Sequence, residues 1–151
     1  IEVVWLLTEN LPWVKADPGR IEQVFINLMV NARDAIEEKN DKTGTAIEND
    51  KIIIETLEKD RQVIVRLSDT GIGMKAHVRE KIFEPFYTTK EVGKGTGLGL
   101  SISYGIIKEC KGNIEVTSDP DNYLTTFTIR FPIAREDNNG AYGPSGLEVR
   151  P

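Results

Sequence analysis

The sequence predicts an α/β (α+β) domain in which helices cover one face of a mixed β-sheet. Three observations carry that expectation. A long helical segment opens at Asp17-Pro18 and gathers its apolar residues on one stripe. Short β-branched runs come as neighbours, Lys51 to Leu57 with Gln62 to Ser68, and Asn113 to Ser118 with Thr125 to Pro132. Strands and helices alternate loosely, without the regular βαβ repeat of a doubly wound parallel sheet.

The elements follow in order. Ile1 to Leu7 is an apolar, β-branched run that reads as a strand, and Trp13-Val14-Lys15 as a short second one. Asp17 is placed as a helix N-cap with Pro18 at the first helical position, and the helix is expected to run to Glu38. A polar loop fills Asn40 to Asp50. The next two strands meet at a tight charged turn around Lys59-Asp60, which suits a hairpin. A short helix is expected near Ala76 to Ile82, then an irregular glycine-rich stretch to Gly97. A helix from Leu98 to Lys111 is expected to end at Gly112 as its C′ residue. Residues 1–134 form the domain, and 135–151 read as a flexible C-terminal tail.

Composition narrows the function classes. The 151 residues suffice for one domain with its own core. A net charge of -5 without a basic patch argues against nucleic acid. No apolar stretch approaches a bilayer span, so no membrane contact is expected. The single cysteine, Cys110, rules out an internal disulfide framework and suits a reducing cytoplasm. One histidine and one cysteine leave too few ligands for structural zinc. A start at Ile1 rather than Met predicts a piece of a longer chain.

On the first helix, at about 100° per residue, Ile21, Val24, Phe25, Leu28, Ala32, Ala35 and Ile36 share one face. Asn27, Asn31 and Asp34 stack beside that stripe. They are either solvated or caps for a loop, or they form a cation site. In the second case the Asn31 carbonyl oxygen would serve as a Mg²⁺ ligand, with Asn27 in support. Asp69 ends an apolar strand and precedes Gly71-Ile72-Gly73-Met74. Asp-Thr-Gly is ordinary turn chemistry. The alternative makes the carboxylate an acceptor for the exocyclic amino group of adenine, a place where guanine presents a clashing oxygen.

Gly93-Lys94-Gly95-Thr96-Gly97-Leu98-Gly99-Leu100 alternates glycines and then opens a helix, an arrangement suited to phosphate. The segment lacks the ending of a P-loop, and no strand runs directly into it as in a dinucleotide fingerprint. Gly93 to Thr96 is expected to be mobile without ATP. Upstream, Phe83 and Phe86 are either core residues or anchors of a lid, with Lys90 and Lys94 able to reach phosphate.

Taken together, QVFINLMVNARDAI, DTGIGM, FEPFYTTK and GTGLGL resemble the N box, first glycine box, F box and second glycine box of the histidine kinase ATP-binding domain, in the GHKL ATPase superfamily. The likeness extends over about Ile1 to Ile133. It implies the Bergerat ATP-binding fold, a two-layer sandwich with a mixed, mainly antiparallel sheet. It also implies a site for ATP and Mg²⁺, in which Asn31 binds the metal with Asn27 nearby and Asp69 reads adenine. Gly71, Gly73 and Met74 would line the base pocket. Gly95, Thr96, Gly97, Leu98, Gly99 and Leu100 would serve the phosphates and the lid hinge. Many histidine kinases carry a lysine where this chain has Asp34, so the cation must come from elsewhere, with Arg33, Lys90 and Lys94 as candidates.

Hydrolysing relatives place a glutamate where this chain has Asn27, and an amide cannot take a proton near neutral pH. A neutral imidazole acceptor needs no such base. The resemblance therefore implies a protein-histidine kinase. Its partners would be a dimerisation and phosphoacceptor domain outside this chain and a response regulator. On this reading the fragment is a monomer, and the whole protein a homodimer. A nucleotide-binding interaction module without turnover and a GHKL-type ATPase are the alternatives. His77 is followed by Val78 rather than by an acidic residue, and it reads as a bystander.

Overall fold

The long helix starts where its cap dictates. In a computed structural model that describes residues 1–44, 50–90, 95–134 and the backbone of 148–149, Asp17 is extended and its Oδ1 accepts from the Arg20 amide at 2.9 Å. Helix α1 then runs over Pro18–Thr43. Val24, Leu28, Ala32 and Ile36 are buried at four-residue spacing, with Ile21 and Phe25 partly buried beside them. Each large side chain buried this way contributes about 1.5–3 kcal/mol.

The helix outlasts its expected end at Glu38 by five residues. Lys39 turns inward on the same stripe, Thr43 Oγ1 donates to the Lys39 carbonyl at 2.9 Å, and Gly44 closes the helix with φ 70°. An inward partner for Lys39, invisible to local propensity, explains the extra turn.

The strands are β1 (Glu2–Leu6), β2 (Val14–Lys15), β3 (Lys51–Lys59), β4 (Gln62–Asp69), β5 (Asn113–Asp119), β6 (Leu124–Pro132) and β7 (Glu148–Val149). Five of them form one sheet in the order β1-β3-β4-β6-β5. Among the described strands only β1 pairs in parallel, with β3, and α1 is the crossover that parallel pairing demands. The other pairs are antiparallel. The β3–β4 hairpin turns at Asp60-Arg61, both at positive φ, one residue beyond the expected centre. Within the stretch expected to be a tail, β7 pairs with β2, and residues 135–147, 150 and 151 lie outside the described residues.

One face of the sheet carries Ile52, Ile54, Val63, Val65, Leu67, Phe127 and Ile129 into the core against α1. Helix α3 (Gly99–Glu109) adds Ile106 and Ile107 to the same layer. The opposite face bears cross-strand polar pairs: Arg66 with Glu55 at 2.8 Å, Arg130 with Glu115 at 2.7 Å, and Ser68 with Thr126 at 2.8 Å. This is the expected mixed, mainly antiparallel sheet with helices on one face.

Helix α2 is shorter than expected, Ala76–Arg79, and Ile82 is buried just beyond it. Helix α3 ends in a Schellman arrangement, with Lys111 N donating to Lys108 O and Gly112 N to Ile107 O, both at 2.9 Å. The left-handed residue is Lys111 at φ 56°, not Gly112. Gly112 is needed for a different reason, since a Cβ there would stand 2.7 Å from the Arg130 carbonyl oxygen of β6.

Two glycines, one inside α3 and one just past its end, should therefore respond oppositely to alanine. Gly105 lies inside α3 with open space around its missing Cβ, so Gly105→Ala should stabilise by about 0.5–1 kcal/mol. Gly112→Ala should destabilise by about 1–3 kcal/mol through overpacking. Denaturant titration of both variants checks the pair; equal shifts would contradict the packing described.

Candidate functional site

Beside its buried stripe, α1 carries the polar positions Asn27, Asn31 and Asp34. From Asn27 to Ala35 the helix rises about 12 Å, and these residues lie within about 100° of arc. Each meets a different part of the chain, so α1 sets the spacing of the whole region.

At the N-terminal end of this row, Asn27 Nδ2 donates to the Gly99 carbonyl at 3.1 Å and to Ser103 Oγ at 3.2 Å. Ser103 is fully buried and also donates to Gly99 O at 2.9 Å. Asn27 thus ties α1 to the first turn of α3. Among the described residues no side chain caps that helix at Leu98, and its first turn carries no acidic residue. Its positive end is left facing the region in front of it.

In the middle of the row, Lys90 Nζ donates to Asp34 Oδ2 and lies 3.5 Å from Asn31 Oδ1. Arg33 Nη2 donates to Asp34 Oδ1 at 2.6 Å. Burial opposes ionisation of Asp34, but the hydrogen bonds from Lys90 and Arg33 outweigh it and hold the carboxyl below its usual range. Of the three candidate cations, two therefore share Asp34. The third, Lys94, lies with Gly93 in residues 91–94, outside the described residues, as does half of the segment expected to be mobile.

At the far end, Asp69 leaves β4 fully enclosed, 2% exposed, with Oδ1 accepting from the Gly71 amide at 2.9 Å. Ile72 N donates to the Ala35 carbonyl at 3.0 Å, which joins this turn to α1. A Cβ on Gly71 would stand 2.6 Å from that of Ala35, so only glycine lets the turn lie on the helix. Gly73 passes over Pro120, and Met74 N donates to Ser118 Oγ at 2.8 Å. Burial pushes the Asp69 carboxyl up to about 6, against the opposing effects of the Gly71 amide and the Lys39 charge.

The glycine segment packs on the FEPFYTTK segment. Phe86 N donates to the Gly97 carbonyl at 2.9 Å. Gly97 has φ 66°, and a Cβ there would stand 2.7 Å from Phe86 Cα. Gly95 lies against Thr88 and Lys90 in the same way. Thr96 Oγ1 accepts from Leu98 N at 3.3 Å, and Leu100 is partly buried against the core. The two phenylalanines behave differently. Phe83 is partly buried, its ring 5.3 Å from that of Tyr104. Phe86 is 75% exposed at φ 66°, so it is not a core residue.

The sequence reading passed over Lys39 and Asp50, which form a buried ion pair at 2.6 Å. A signal was present. Lys39 follows Leu28, Ala32 and Ile36 at helical spacing, a lysine on a stripe otherwise reserved for apolar side chains. His77 is exposed on α2.

The chain matches the family of histidine kinase-, DNA gyrase B- and HSP90-like ATPases over residues 16–135. It is 47% identical over 136 residues to the sensor kinase CckA of Brucella abortus, covering 87% of this chain and 14% of that protein. It is 38% identical over 127 residues to sporulation kinase E of Bacillus subtilis, covering 84% and 16% respectively. The chain thus spans less than a fifth of these curated relatives. Among solved structures it resembles a nucleotide-free form of the catalytic domain of histidine kinase ThkA, with TM-score 0.67, 33% identity, and coverage of 87% of this chain and 78% of that one. It also resembles full-length ShkA in complex with AMPPNP, with TM-score 0.71, 27% identity, and coverage of 88% and 26%.

The buried carboxylate should cost stability. Its folded value of about 6 exceeds the reference 3.8, so the native state loses stability as pH rises from about 4 through about 6 and keeps the deficit above. Asp69→Asn retains an acceptor for Gly71 and removes the charge. It should be more stable than the parent by up to about 3 kcal/mol at pH 8 and equal to it below pH 4. Thermal unfolding across that range decides; a pH-independent difference would contradict the assignment.

Proposed function

The chain belongs to the histidine kinase-, DNA gyrase B- and HSP90-like ATPase family, on its sensor-kinase side, and from that premise we propose how its ATP-binding catalytic domain works. It binds Mg-ATP along the polar row of α1. It donates the γ-phosphoryl to a histidine on a dimerisation and phosphoacceptor domain, for relay to a response regulator. Such a domain works in the cytoplasm, where ATP is available.

The observation that carries this reading is the alignment along one helix of three contacts: Asn27 to α3, Asn31 and Asp34 to Lys90, and Ala35 to the Asp69 turn. A span of about 12 Å suits a nucleotide laid from base to phosphates. Asp69 then accepts from the adenine amino group, for which the ionised, acceptor-only carboxylate is the stronger partner. Gly71 and Gly73 keep side chains out of the base plane, and Met74 lies beside it. The backbone amides of Gly97 and Gly99 would face phosphate oxygens, joined by that of Leu98 once it leaves Thr96 Oγ1, with help from the helix dipole. Gly95 and Thr96 lead into that turn, and Leu100 seats it on the core.

The residues present fit a divalent cation. The Asn31 carbonyl oxygen already faces a positive charge, the Lys90 ammonium at 3.5 Å. It adds an oxygen ligand without adding negative charge. Bound magnesium would screen the phosphate charge. Lys90, steered by Asp34, stands where it can add its own charge, in the role a lysine fills on the first helix of many histidine kinases.

Asn27 bears on the type of reaction. Its amide nitrogen is committed to α3, and the group is no base. Water would need one to attack; an imidazole would not. This favours transfer to histidine over hydrolysis. Catalysis then rests on positioning and on charge compensation around the transferred group.

Titration calorimetry with Mg-ATP should show binding that Asn31→Ala and Asp69→Ala both abolish, and that Lys90→Ala weakens by about tenfold, the loss of one charge-assisted bond. Undiminished binding in the first two variants would remove the site. Mixing the chain with a phosphoacceptor hairpin and labelled ATP should yield acid-labile phosphohistidine. Binding without that product would leave a nucleotide-dependent interaction module, and steady phosphate release an ATPase.

A further inference from the structure

Beneath the turn that carries Asp69 lies a group that the reaction as proposed does not use. Lys39 is 2% exposed, and its Nζ donates to Asp50 Oδ1 and to the Thr70 carbonyl, both at 2.6 Å. The Tyr123 ring lies 5.8 Å away. Asp50 is held from its other side by Asn40 Nδ2 at 2.6 Å. Desolvating an ammonium is costly, and buried ion pairs are often no better for stability than apolar side chains of similar size. A methionine would continue the stripe of α1. A purely structural role therefore accounts poorly for a lysine here.

Its second bond points to a function. Thr70 is the residue between Asp69 and Gly71, the two ends of the hydrogen bond that shapes the turn. An ammonium bound to the Thr70 carbonyl fixes that peptide, and with it the direction of the Asp69 side chain. The same charge favours the carboxylate over the acid. The surroundings leave this task to Lys39 among the described residues. The strand neighbours of Asp69 are Ile52 and Thr125, neither charged, Gly71 offers only an amide, and Asp50 is already paired with Lys39.

We propose that Lys39 is a positioning residue for adenine recognition, orienting the Asp69 turn and keeping its carboxylate ionised. The proposal rests on the reading of Asp69 as the base-recognising group. It differs from that reading in what it predicts for variants that leave Asp69 in place.

The experiment compares Mg-ADP affinity from pH 5.5 to 8.5 in the parent, in Asp50→Asn, and in the double variant Lys39→Met/Asp50→Asn. The double variant removes both charges, so no unpaired carboxylate is left buried. It should bind Mg-ADP about tenfold more weakly at pH 6.5, with affinity lost on acidification about one pH unit earlier than in the parent. The difference between the two profiles cancels the titration of the nucleotide itself. Asp50→Asn keeps the lysine but leaves its ammonium buried without a carboxylate, which disfavours the charge, so its profile should lie between the other two. A folded double variant with the parent profile overturns the proposal. If the double variant does not fold, Lys39→Gln/Asp50→Asn takes its place. That change keeps a donor and removes the charge, and an unshifted profile there overturns the proposal equally. A parent that binds no Mg-ADP at any pH refutes the functional reading itself.

Discussion

A helix that lays one stripe of side chains on a sheet must present the next stripe to whatever packs alongside, and in α1 both stripes are in use. Val24, Leu28, Ala32 and Ile36 anchor it to the sheet at strict spacing. The helix cannot rotate about its axis without exposing them, and so Asn27, Asn31 and Asp34 have no freedom of direction. The geometry of the site is thus a by-product of core packing. The helix N-terminus, the lysine of the FEPFYTTK segment and the Asp69 turn are each positioned by a hydrogen bond to this one element.

Two aspartates show how burial and partners divide the electrostatic work. Asp34 is half-open and flanked by Arg33 and Lys90, whose hydrogen bonds overcome its partial burial, so it acts as a negative anchor for the two cations. Asp69 is enclosed, with one amide as a hydrogen-bond partner and one lysine charge nearby, and it titrates near 6. A carboxylate kept ionised against its own burial holds unspent acceptor strength, which suits a group meant to meet a donor from a ligand. The protein tolerates a stability loss at Asp69 that it does not incur at Asp34.

The glycine segment and the residues around Phe86 form a second coupled unit. Gly97 sits close on the Phe86 backbone, and both adopt positive φ. For a phenylalanine this conformation is strained, and the side chain is exposed as well. Any rearrangement of one segment must move the other, and Lys90, packed on Gly95, would move with them.

Much of this was legible in the primary structure because it is written in local chemistry. Asp17 and Pro18 start α1, the apolar periodicity orients it, β-branched runs mark the strands, and the order of the four motifs identifies the family. Elements whose limits depend on distant partners were misjudged. The helix continues past Glu38 because Lys39 finds Asp50 and Thr70, residues 11 and 31 positions away. Gly112 looked like a left-handed cap, but it is required because a neighbouring strand carbonyl passes too close for a Cβ. Phe86 read either as core or as a lid anchor, and its exposure excludes the first. Which cation stands by Asn31 was equally undecided in the sequence, since Arg33, Lys90 and Lys94 all carry the charge. Sequence alone thus determined the secondary-structure plan and the inventory of chemical groups, which depend on residues a turn or two apart. Tertiary structure decided which groups meet, because a contact between distant segments depends on how whole elements pack, and no local pattern encodes that.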